Sequence, residues 1–143
     1  LFETLIRIPL GTVVLEEVAF RGVLPALFAQ RMTKVRASLC ASVLFGLWHV
    51  LPAAELHEIN PVVESIFGGG VVGTVGGVVF AVLGTMALGL WMCWLRFRSG
   101  SLLTTVIGHI GSNSGAYLFA WLYGAGWLSG SLAGSLAAVP AGQ

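Results

Sequence analysis

Leu15-Glu16-Glu17-Val18-Ala19-Phe20-Arg21 sets two adjacent carboxylates and a guanidinium inside an apolar run covering residues 8–29. An ionised side chain at the centre of a bilayer costs about 2.5–3.5 kcal/mol on insertion scales. Three such groups within six residues are not a packing device. They must face protein or water rather than lipid, and they must have partners. The surrounding composition is that of a membrane protein. Only 9% of the 143 residues are charged and 57% are hydrophobic, whereas soluble domains carry about 25% charged residues. The mean hydropathy of +0.93 points the same way. A net charge of +1 offers no electrostatic footprint for nucleic acid.

Working outward, four stretches approach the roughly 20 apolar residues that a spanning helix needs. They cover residues 8–30, 37–52, 67–95 and 102–123. The expectation is an all-α polytopic membrane bundle of about four transmembrane helices, forming one domain over residues 1–123. A Gly/Ala/Ser-rich tail follows at 124–143. Residues 1–10 lack the basic start and small-residue cleavage site of a signal peptide. They read as the end of an earlier segment, so the chain is expected to be a piece of a longer protein. Arg31, Lys34 and Arg36 lie between the first two spans, and Arg96 and Arg98 between the last two. The middle loop holds Glu55, His57, Glu58 and Glu64 and no Lys or Arg. The positive-inside rule places the two basic turns in the cytoplasm and the acidic loop outside.

Ser38, Ser42 and Gly46 recur every four residues, as do Gly69, Gly73 and Gly77. Small residues at this spacing let helix backbones approach closely in lipid, so these ladders read as packing seams. The glycine-rich stretch 68–77 has no Walker Lys-Ser/Thr and no preceding strand, which excludes a phosphate loop. Cys40 and Cys93 lie within apolar runs and read as small core residues.

Glu17 and Arg21 are four residues apart on a helix and so face each other, which makes them a structural ion pair. Glu16 lies about 100° round the helix and has no Lys or Arg three or four residues away. A carboxylate left without a cation in an apolar setting is ready to take up a proton, as a general base must. The second span ends in Phe45-Gly46-Leu47-Trp48-His49, and the fourth holds His109-Ile110-Gly111-Ser112-Asn113. Glu16, His49, His109 and Asn113 thus stand on three separate apolar helices, and a shared polar site explains them better than independent packing bonds.

In this order, Glu-Glu-x-x-x-Arg at 16–21, Phe-x-x-x-His at 45–49 and His-x-x-x-Asn at 109–113 resemble the motifs of the CAAX protease and bacteriocin-processing family. This family is also called the abortive-infection or type II CAAX prenyl endopeptidase-like family. Each motif alone is weak; three in order, each on its own helix, are specific. The resemblance covers about residues 11–115. It implies an all-helical intramembrane glutamate peptidase in which Glu16 and His49 activate water, while His109 and Asn113 stabilise the oxyanion. Glu17 and Arg21 match the second Glu and the Arg of the first motif and keep the structural reading, with Phe45 in support.

The expected partners are a peptide or membrane-anchored protein substrate and the lipid bilayer, with no nucleic acid and no cofactor. The style of the helices points to a bacterial cell membrane. The helix depths put the site from mid-membrane toward the outer side, whereas the resemblance implies cytoplasmic access. Two other readings compete. Glu16, His49 and His109 are residue types that ligate zinc in a membrane metalloprotease, although His57-Glu58-Ile59-Asn60-Pro61 lacks the second His of His-Glu-x-x-His. A non-catalytic scaffold, an immunity-type protein or a transporter with Glu16 as proton carrier is the other.

Overall fold

The computed structural model describes residues 11–124, so the tail beyond 124 and the first ten residues lie outside the described part. Every regular element among the described residues is helical. In chain order they are α1 (Val14–Glu17), a π-helix (Val18–Val23), α2 (Leu24–Phe28), α3 (Lys34–Trp48), α4 (Leu56–Ile59), α5 (Pro61–Phe67), α6 (Gly70–Ser99) and α7 (Leu102–Gly124). The all-α architecture expected from the sequence is therefore present.

The first three elements make one continuous run, because the residues at their junctions keep right-handed helical dihedrals. The wider π winding falls just ahead of Pro25. Proline has no N–H for the carbonyl four residues back, that of Arg21, and its ring crowds that carbonyl. The π turn accommodates this crowding. Such turns occur mainly as single bulges and frequently at functional sites. Both Phe20 and Arg21 are buried within it.

The boundaries of the later elements differ from the expected spans for local reasons. α3 begins at Lys34 rather than 37, because Thr33 Oγ1 caps it by accepting the Arg36 N–H at 3.4 Å. It ends at Trp48 in a series of turns that contain Pro52. The connector expected as a plain loop holds α4 and α5. Asn60 Oδ1 accepts the N–H groups of Val62 and Val63 at 3.0 and 3.3 Å, and Pro61 occupies the first turn of α5. Asn as cap followed by Pro is a helix start. α6 begins at Gly70, after the glycine turn at Gly68 (φ +69°), and stops at Gly100 in the left-handed conformation.

At 30 residues α6 is about 45 Å long, more than the roughly 30 Å of a bilayer core. Its most apolar window has a mean hydropathy of 2.1, and among the described residues it is the one helix long and apolar enough to cross a membrane. The other three stretches are helical but differ from a free-standing span. α3 has 15 residues, and the first run carries Glu16, Glu17 and Arg21. α7 has 23 residues, but His109, Ser112, Asn113 and Ser114 lower its hydropathy.

α3 packs more extensively along α6 than any other pair of elements. The contact is close because Gly46 lies against Met86 and the Val82 carbonyl; a methyl group there would come within 2.9 Å of that oxygen. Across the same seam Gly89 admits Ser42 and Phe45. Val13, Phe20, Ala37, Ala41, Phe45, Met92 and Cys93 are buried, with Met92 against Gly108 of α7. The outside is apolar as well, with Leu27, Val35, Leu47, Leu83 and Leu103 exposed. Both cysteines are free thiols; Cys93 is a buried core residue as expected, whereas Cys40 is exposed.

Candidate active site

The end of α1, the π-helix, α3 and α7 bring the three motifs to one place. Successive helical residues diverge by about 100°, so Glu16 and Glu17 leave the first run on different sides, and both meet the ring of His109. His109 Nδ1 lies 2.7 Å from Glu17 Oε1, and His109 Nε2 lies 3.7 Å from Glu16 Oε2. The first is a hydrogen bond; the second is beyond direct hydrogen-bond reach. Arg21 Nη1 stands 3.0 Å from the same Oε1 of Glu17. That ion pair is made by distance alone, since the guanidinium N–H groups are not aimed at the oxygen. The Arg21 guanidinium instead lies over the Phe45 ring, 3.9 Å from its centroid, a cation–π contact.

Phe45 is the centre of the cluster. Fully buried, it takes Phe20, His49 and His109 edge-on at centroid distances of 5.1, 4.7 and 5.7 Å. Gly89 of α6 leaves the room for its ring, and Ser42, one turn earlier on α3, is buried beside it. His49, which immediately follows α3, donates its Nδ1–H back to the Phe45 carbonyl at 2.8 Å. In that tautomer Nε2 is left as an acceptor. His49 is half-buried.

The two carboxylates differ in access. The Glu17 side chain is completely buried, while that of Glu16 is 12% exposed. Glu16 is thus the carboxylate with an outlet from the cluster. Asn113 is half-buried on α7, one helical turn beyond His109, and forms no hydrogen bond with a described residue. Glu16, Glu17, Arg21, Phe45, His49 and His109 are joined by direct contacts or through Phe45, whereas Asn113 is related to them by helical register alone. His57 is buried elsewhere, with its ring against Gly73 of α6 and Nδ1 unpartnered. Among the described residues no three or more His, Cys, Asp or Glu side chains converge as a metal-ion site.

Sequence reasoning missed two features here. One is the Glu17–His109 bond, between residues 92 positions apart, for which spacing carries no signal. The other is the central place of Phe45, which in the sequence is visible only as a neighbour of His49.

This arrangement offers a carboxylate near an opening, an imidazole with a free acceptor, a second imidazole held from behind, and an amide one turn away. Those are the parts that hydrolysis of an acyl group requires. Comparison with curated proteins and with solved structures gave no match. A family model described as type II CAAX prenyl endopeptidase Rce1-like matches residues 2–115, a range that contains all three motifs and every residue of the cluster. The chain belongs to this Rce1-like family of proteases.

Proposed function

We propose that the chain is an intramembrane endopeptidase that hydrolyses a peptide bond in a membrane-anchored peptide or protein. The observation that carries this reading is that His49 and His109, from different parts of the chain, both meet the buried Phe45 ring, with Glu16 Oε2 3.7 Å from His109 Nε2. Glu16 and the His49 acceptor nitrogen hold a water, and Glu16 removes its proton as the oxygen attacks the scissile carbonyl. General base catalysis of this kind contributes about 10²–10⁴-fold. The tetrahedral oxygen is met by a ring N–H of His109 and the Nδ2 of Asn113, and a single oxyanion donor contributes about 10²–10³-fold. The proton held by Glu16 then passes to the departing amine. In this mechanism the water is activated without a metal. The four apolar stretches form a membrane bundle in a bacterial cell membrane, with the apolar exterior facing lipid.

The test uses the purified full chain in nanodiscs, incubated with a library of membrane-anchored peptides and read by mass spectrometry. Wild type should yield cleavage products that Glu16→Ala and His49→Ala do not. The peptidase reading is wrong if wild type and Glu16→Ala give the same products. Metal analysis of the same sample accompanies a chelator arm. Stoichiometric zinc lost together with activity would overturn the metal-free mechanism.

A further inference from the structure

Glu17 has two neighbours of opposite kinds, and their geometry ranks them. The Arg21 contact meets the distance of an ion pair but not the direction of a hydrogen bond, whereas the His109 contact meets both and is shorter, 2.7 against 3.0 Å. The carboxylate is aimed at the imidazole. Its Oε1 also faces the Arg21 guanidinium at 3.0 Å, and an oxygen set against N–H groups on that side accepts. The nitrogen 2.7 Å away is therefore the N–H of the ring. A bond to one ring nitrogen sets which nitrogen is left for chemistry.

We propose that Glu17 is a positioning residue for His109, holding Nδ1–H from behind so that Nε2 is the nitrogen presented toward Glu16 and the substrate. Two contacts fix the ring, Glu17 at Nδ1 and the Phe45 ring at 5.7 Å and nearly perpendicular, and Glu16 Oε2 faces Nε2 from 3.7 Å. Arg21 takes a different place in this arrangement. It is the counter-ion that lets the positioning carboxylate sit fully buried. To donate from Nε2 to a developing oxyanion the ring must first take up a second proton from water, which it returns after the intermediate collapses, and the Glu17 carboxylate 2.7 Å from Nδ1 lies against the charge of that doubly protonated ring. The catalytic consequence rests on the peptidase reading; the orientation of the ring does not.

The test is nitrogen NMR of the full chain labelled with [15N]histidine, with the His109 signals assigned by their loss in His109→Gln. In wild type, Nδ1 of His109 should be protonated. A ring with bare Nδ1 and protonated Nε2 overturns the proposal without any variant. The second arm replaces the pair together, Glu17→Leu with Arg21→Met, because swapping a buried ion pair for apolar residues of similar volume is often tolerated. In that double variant the Nδ1 proton preference should be lost. With a cleavable peptide, kcat should fall about 100-fold while KM stays within about twofold. A folded double variant with unchanged ring signals, or with wild-type kcat, shows that Glu17 serves only as a partner for Arg21. Should wild type cleave nothing, the peptidase reading fails while the ring signals still decide the role of Glu17.

Discussion

The cluster has a sealed half and an open half, and adjacent residues of one helix fall on either side of the divide. Glu17, Arg21, Phe45 and His109 are buried and tied to one another across four elements. Glu16, His49 and Asn113 are partly exposed, and their described contacts are looser or local in sequence. One residue of rotation separates a carboxylate that is locked in place from one that has an outlet. The charges that looked so costly in the sequence therefore answer two different needs. In the proposed mechanism the sealed set holds the helices and the His109 ring in place, and the open set meets water and substrate.

If that division is right, changes in the sealed half should show first in folding and changes in the open half first in turnover. The largest folding effect is expected from Arg21→Ala. Removing one partner of a buried pair costs about 3–5 kcal/mol, which should appear as a lower yield of folded protein and a lower melting temperature in detergent. Normal folding with lost cleavage would move Arg21 into the open half. Asn113→Ala should do the opposite, lowering kcat by about 10²–10³-fold with the melting temperature unchanged. An unchanged kcat would remove Asn113 from the oxyanion role. Smaller still, Gly46→Ala should destabilise by about 1–3 kcal/mol through overpacking against Met86 and the Val82 carbonyl. A neutral result there would mean that the α3–α6 seam has more room than the structure gives it.

The same division marks what could be read from the sequence. Contacts within a helix follow from periodicity, so the approach of Glu17 to Arg21 and of Phe45 to His49 is visible in four-residue spacings. Helix starts at Thr33 and Asn60-Pro61 carry recognisable caps, yet the second lies in a polar connector where apolar length gives no cue. Contacts between helices follow no such rule. Nothing in the spacing says that Glu17 rather than Glu16 would bond His109, or that the Phe45 ring would carry the Arg21 guanidinium. The π winding at Val18–Val23 is likewise a response to Pro25 and to packing, and helical periodicity assumes it away. Among the described helices α6 alone has the length and apolarity of a span, since α3 is short and α7 carries polar residues of the cluster.

The central claim is that Glu16 and His49, from different parts of the chain, act on one water. The direct measurement is kcat for cleavage of a membrane-anchored peptide by folded wild type, Glu16→Gln, His49→Gln and the double variant. Residues that act as a unit are strongly non-additive. The account predicts that each single change removes about 10³-fold and that the double variant is no worse than either. Single losses that multiply in the double variant, or a His49→Gln enzyme as fast as wild type, would contradict it.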